Sequence, residues 1–178
     1  GGDFPWKLSP RINSNDQKND DMYFATLIYH SYDDGWYNDI DRRIFKIITS
    51  KLYIESLFRI KCNLYFPSKT GKVQHHASHK DANFKHQGAL FYLTTCDAPT
   101  TMADGTEIES IENRLLLFDP ATQHFSSSPT NSPYRVTINF NYFGAGIQQE
   151  YMEQHMINPI PAVSCNPEKL NDFWNIGE

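Results

Sequence analysis

Two stretches of this chain alternate apolar and polar side chains along their whole length, and a period of two fixes them as strands with unlike faces. In "LFRIKCNLYF", Phe58, Ile60, Cys62 and Leu64 point one way, and Arg59, Lys61, Asn63 and Tyr65 the other. In "YRVTINFNYF", Val136, Ile138 and Phe140 share the apolar face. Arg135, Thr137, Asn139 and Asn141 bring a guanidinium, a hydroxyl and two amides to the opposite one. Apolar faces must pack on a core. A polar face of this composition suits either solvent or the inside of a barrel.

Around these two strands the rest of the chain reads as a sheet-rich domain. The first twenty residues end in the polar, irregular stretch "RINSNDQKNDD", and "MYFATLIYHSY" is a candidate strand. From Asn38 to Ser56, Ile40, Ile44, Ile47, Ile48 and Leu52 recur at helical spacing, which predicts a helix with one face on a sheet. Further strands are expected at 88–95, 113–118 and 134–143, and Asp104-Gly105 marks a turn between short extended pieces. In the tail "NPEKLNDFWNI", Asn166 can cap and Pro167 can open a short closing helix. Many short strands with turn signals, preceded by a helix, predict a mainly β fold with flanking helices: a jelly-roll or double-stranded β-helix barrel. Residues 1–178 are expected to form one domain. Its barrel core spans about 57–143, with helix and strand support at 20–56 and a helical tail at 144–178.

The net charge of −5 gives no case for a nucleic-acid partner. No run reaches the ~20 apolar residues needed to cross a membrane, and "GGDFPWKL" has neither half of a signal peptide. Cys62, Cys96 and Cys165 are odd in number and far apart, so reduced thiols and a cytoplasmic location are expected.

Four of the seven histidines fall within 75–86, and one forms His79-Lys80-Asp81. On extended backbone His79 and Asp81 share a face about 6.6 Å apart and can converge on one ion. Imidazole with carboxylate suits a borderline divalent metal such as Fe(II). His124 and His30 each follow an apolar strand that could deliver a third ligand, whereas His155 fits a surface helix. Arg135, alone among neutral hydrogen-bonding groups, suits a two-pronged clamp for a carboxylate.

These features together resemble the 2-oxoglutarate/Fe(II)-dependent oxygenases of the prolyl-hydroxylase-like type, in particular short forms from phage and marine microbial genomes. The likeness runs from about Leu57 to Phe143 through "RIKCNLYFP", "HKD", "ALFYLTT", "DGTEIESIENRLLLFDP" and "YRVTINFNYF". The family pattern is His-x-Asp, a histidine after a long interval, and an arginine shortly beyond it. The resemblance implies His79, Asp81 and His124 as the ligands of Fe(II), and Arg135 on the distal carboxylate of the co-substrate 2-oxoglutarate. It also implies Tyr92 reaching that carboxylate, Tyr65 lining its pocket, and Thr137 and Asn139 as weaker contacts. Ascorbate would be an accessory, and the substrate a small molecule or a peptide, peptidyl proline or another amino-acid side chain among them. The family often carries Asn-x-x-Gly-Gly-Thr after the tyrosine strand; here the segment is "TTCDAPTT", expected near the rim. His75, His76 and His86 lie outside the pattern and are expected to line a polar rim. Two alternatives are a cupin-like metal protein without oxygenase activity and a metal-free jelly roll that binds sugar or nucleotide.

Overall fold

The computed structural model describes residues 4–9, 23–32, 35–36, 43–144 and 162–164. In chain order the elements are β1 (Lys7–Ser9), β2 (Tyr23–His30), β3 (Gly35–Trp36), α1 (Arg43–Thr49), β4 (Ser56–Tyr65), β5 (Gln74–His75) and β6 (Gln87–Tyr92). There follow β7 (Cys96–Met102), β8 (Glu107–Ser110), β9 (Arg114–Phe118), β10 (His124–Phe125), β11 (Ser127–Ser128), β12 (Arg135–Phe143) and β13 (Ala162–Ser164).

The large sheet runs β1-β2-β4-β12-β6-β9-β13, with β3 on the side of β2; β10-β7-β8 and β11-β5 form two small sheets. The alternation read in the sequence places the two faces. Ile138, Phe140, Ile60, Cys62 and Ala89 point outward and are closed over by Phe45 and Ile48 of α1 and by Leu52. Each fully buried side chain of this size contributes about 1.5–3 kcal/mol from area removed from water. On the opposite face, Arg135 of β12 reaches Thr100 of β7, Ser110 of β8 and Ser127 of β11, so the small sheets cover that face. The polar face therefore lines a barrel interior. The fold is a double-stranded β-helix.

Central β12 is antiparallel to β4 on one side and to β6 on the other. Its register with β4 sets Arg135 against Tyr65, Thr137 against Asn63, Asn139 against Lys61 and Asn141 against Arg59. The Asp104-Gly105 turn joins β7 to β8. Gly105 takes φ 85°, a left-handed conformation that favours glycine, and Thr106 N–H donates to Asp104 Oδ1 at 2.9 Å.

Three expectations are corrected. The helix is short within the described residues: the backbone leaves it at Ser50, with Lys51 N–H on Ile48 O and Leu52 N–H on Thr49 O, and Ser56 already belongs to β4. Leu52 keeps helical spacing because it fills the same core from a turn. The strand expected at 88–95 ends at Tyr92, where Leu93 and Thr94 instead tie the loop to Val136. Within the tail, expected to be helical, Ala162–Ser164 form a strand antiparallel to Leu116–Arg114 of β9. The expected helix at 166–174 lies outside the described residues. Cys62 and Cys96 are free, buried thiols, and burial pushes that of Cys62 up to about 12; Cys165 is not among the described residues. Among the described residues no helix is long and apolar enough to cross a membrane.

Candidate metal centre

His79 and His124 come from segments far apart in sequence, and their backbones hold each other. His79 N–H donates to His124 O at 2.9 Å, and His124 N–H to His79 O at 3.0 Å. This isolated antiparallel bridge brings the imidazoles together, tilted, with ring centroids 4.6 Å apart. Asp81 N–H donates to Pro120 O at 2.9 Å, which seats the third side chain beside them. One ligand atom from each of His79, Asp81 and His124 lies within 4.8 Å of the others, within reach of one ion.

The surroundings prepare these atoms for a metal. His124 Nδ1 lies 3.0 Å from Thr122 O. A carbonyl can only accept, so Nδ1 carries the proton and Nε2 keeps its lone pair for a ligand. His79 Nδ1 faces Ala77 O at 3.4 Å. Burial, followed by the charge of His124, lowers His79 to about 4 against the raising effect of Asp81, so its imidazole stays neutral well into acid. Asp81 is held below the usual carboxylate range. Burial pushes it up, but Arg59, His124 and the amides of Asn141 and Asn139 outweigh that. Both amides donate to Asp81 Oδ2 at 2.9 Å, and Arg59 Nη2 sits 3.0 Å from Oδ1, the oxygen that also faces His79 Nε2 at 3.8 Å. A neutral His79 imidazole, a second histidine ring beside it and an ionised, oriented carboxylate form a donor set that suits a borderline divalent cation.

The triad opens onto a cavity of about 190 Å³ that is also lined by Tyr65, Arg135, Thr137 and Asn139. Arg135 is 0% exposed. Its Nη2 donates to Thr100 Oγ1 at 2.7 Å, its Nη1 to Ser127 O at 3.2 Å and its Nε to Ser110 Oγ at 3.4 Å. Among the described residues no carboxylate pairs with it. The rings of Tyr65 and Tyr92 flank the guanidinium carbon, each centroid at 5.7 Å. Burial, opposed by Arg135 and Ser126, pushes Tyr65 up to about 12.

The contacts of Tyr92, Asn139 and Thr100 add detail to the expected site. Tyr92 is fully buried, and its hydroxyl donates to Thr100 Oγ1 at 2.9 Å. Asn139 lines the cavity and donates one of its two amide N–H groups to Asp81. Thr100 sits in the segment expected near the rim, yet it is 2% exposed and joins Arg135 to Tyr92. Its oxygen accepts twice, leaving its own hydrogen to donate. Neither Thr100 nor the pairing of Arg59 with Asp81 was singled out in the sequence; the polar alternation of β4 was the signal for Arg59.

The other histidines do not join the triad. His30 packs on Phe58 and Tyr32, and its Nδ1 accepts from Tyr32 N–H. His75 is exposed against Phe125. His76 and His86 are buried, not on a rim: His76 is held between Ser126 and Ser128, and His86 lies among Phe58, Phe84 and Phe143. His155 lies outside the described residues.

No protein-family model and no curated protein matches the chain. Among solved structures it is similar to an oxidoreductase of the 2OG-Fe(II) oxygenase family from Burkholderia pseudomallei, with a TM-score of 0.55 at 9% identity, over 81% of this chain and 75% of that one. A Pseudomonas putida prolyl-4-hydroxylase follows at TM-score 0.46 and 13% identity, over 68% of each chain. A cupin domain from Bordetella pertussis gives 0.37 at 10% identity, over 49% of this chain and 82% of that one. At 9% identity the likeness to the first of these is one of fold alone.

Proposed function

We propose that this protein is an Fe(II)- and 2-oxoglutarate-dependent dioxygenase that hydroxylates a small-molecule or peptide substrate. The observation that carries the proposal is Arg135: a wholly buried guanidinium without a carboxylate partner among the described residues, in the same cavity as a His-Asp-His cluster. A buried cation left unpaired costs several kcal/mol, and an anionic co-substrate would offset that cost. His79, Asp81 and His124 would hold Fe(II), leaving one face open. When bound, iron and 2-oxoglutarate would supply the oxidising chemistry: one oxygen atom of O₂ goes into succinate as the co-substrate loses CO₂, and the other into a C–H bond of the substrate, giving its hydroxylated product.

The chain's own groups do the placing. Arg135 would take the distal carboxylate with its remaining N–H donors, with the hydroxyl hydrogen of Thr100 beside it. Tyr92 acts through Thr100, fixing the hydroxyl that faces the guanidinium. Tyr65 and Thr137 line the same cavity and limit the water around the anion. Asn139 and Asn141 fix the carboxylate plane of Asp81, so that one oxygen is presented to the metal.

A second reading, a cupin-like metal protein without co-substrate chemistry, draws on the three hydrogen bonds Arg135 already makes to protein. One titration separates the two. Under argon, Fe(II) followed by 2-oxoglutarate should produce a visible charge-transfer band, and succinate should accumulate once air is admitted. Iron binding with neither band nor succinate would favour the second reading.

A further inference from the structure

The chain carries a net charge of −5, yet its cavity is basic: among the described residues Arg59, Lys61, Lys80 and Arg135 line it against Asp81 as the one acidic side chain. A cationic cleft in an acidic protein raises the local concentration of anions. Not every charge there needs a ligand. Arg59 is spent on Asp81 and donates its Nε to Asn141 Oδ1 at 2.9 Å. Lys80 is exposed at the mouth. Arg135 is the co-substrate clamp of the proposed function.

Lys61 remains. Its Nζ donates to the Tyr23 hydroxyl at 2.9 Å and lies 5.2 Å from the centre of that ring. Among the described residues no carboxylate pairs with it. An ammonium has three donors, and a phenol oxygen occupies one. A half-buried cation with a neutral partner alone has lost hydration without gaining an opposite charge.

Directly across from Lys61, as its register partner on β12, stands Asn139. Its Nδ2 donates to Asp81 Oδ2, and an ionised carboxylate takes donors only, so the amide cannot be flipped. Its Oδ1 is therefore fixed, buried and without a hydrogen-bond partner in a side chain 8% exposed. Buried acceptors are rarely left so. Cross-strand partners hold their Cβ atoms about 5 Å apart. Neighbouring strands of one wall thus carry a cationic donor that reaches Tyr23 and an acceptor without a hydrogen-bond partner. The pair stands at the level of Asp81, and Arg135 lies four residues further along β12, roughly 13 Å at strand rise.

We propose that the substrate carries a carboxylate flanked by an N–H or O–H donor, the pattern of a free amino acid or hydroxy acid, received by Lys61 and Asn139 Oδ1. This rests on the dioxygenase reading for calling the ligand a substrate, but the site itself does not depend on it. An internal peptide segment has no free α-carboxylate.

Glycine, acetate and glycinamide are the probes. Each is titrated by ligand-observed NMR line broadening into protein loaded with Zn(II) and saturating 2-oxoglutarate, and again into protein with neither. Glycine should bind saturably, acetate several-fold more weakly, and glycinamide not at all. Lys61→Met should weaken glycine at least tenfold while leaving 2-oxoglutarate affinity and the melting temperature unchanged. The proposal is overturned if glycine does not saturate, if glycinamide binds equally, or if Lys61→Met binds glycine like the parent. It is also overturned if Lys61→Met loses 2-oxoglutarate instead, which would give Lys61 to the co-substrate. Lys61-dependent glycine binding in a protein that never binds 2-oxoglutarate would sink the dioxygenase reading and leave the anion site standing.

Discussion

Lysine at position 135 would keep the charge and lose the planar fork. Arg135→Lys should weaken 2-oxoglutarate binding on the order of ten- to a hundredfold, the loss of a charge-assisted bond of roughly 1.5–3 kcal/mol, while metal binding stays near that of the parent. His124→Ala should reverse the pattern, abolishing tight metal binding. Sequential titration of each variant under argon, first metal and then co-substrate, checks both; unchanged 2-oxoglutarate affinity in Arg135→Lys would remove the clamp from β12. Asn141→Ala strips one donor from Asp81 Oδ2 and frees Arg59 Nε. It should cost about 10–100-fold in metal affinity, as groups that orient a ligand typically do. The candidate residues stood out in the sequence as His79 and Asp81 in one short motif and Arg135 alone among neutral hydrogen-bonding groups. Thr100 did not. Its contact with Arg135 spans 35 positions, and no local spacing marks a threonine that a distant strand will use.

Among the elements, β6 shows how little room the centre has. A Cβ on Gly88 would fall 2.9 Å from Phe118 Cε1 and 3.1 Å from Pro120 Cδ. Phe118 packs edge-on against His124 at 5.0 Å, and Pro120 O receives the Asp81 amide. Gly88→Ala should therefore destabilise the fold by about 1–3 kcal/mol, as overpacking does, and weaken metal binding although residue 88 touches no ligand. Urea unfolding together with a metal titration tests this; a variant with lower stability and parental metal affinity would mean that Phe118 yields without moving His124. Strands β4 and β12 were readable because each has one face in apolar core and the other in a polar cavity, so their period of two survives. Helix α1 was overread because Leu52 is buried from a turn, and apolar spacing reports burial rather than backbone conformation. The strand at Ala162–Ser164 carries no alternation long enough to distinguish it from a loop; its partner β9 supplies the reason for its shape.

For the whole molecule, buried histidines set the response to acid. His76 is lowered to about 3, by burial first and then by Arg135, His75 and His79. The unfolded chain protonates it near 6.5. Between those values the unfolded state binds a proton that the folded state refuses, so stability falls as pH falls. By pH 5 the loss from His76 is about 2 kcal/mol, and His79, lowered to about 4, acts in the same direction in metal-free protein. Asp81 adds a loss only in stronger acid, since its stabilisation is present above the ordinary carboxylate pKa and fades as pH drops towards its depressed value. The drop in unfolding free energy from pH 7 to 5 should shrink by about 2 kcal/mol in His76→Gln; an identical drop would mean that His76 is not the neutral, buried group described here. The paired backbone bonds of His79 and His124 have a consequence on a different clock. Each amide hydrogen is locked into the carbonyl of the other residue, so deuterium can enter either position only when the two segments part. The two amides should exchange at one shared rate, and a bound metal should slow them together by the same factor, which makes them a built-in timer for how often the centre comes apart.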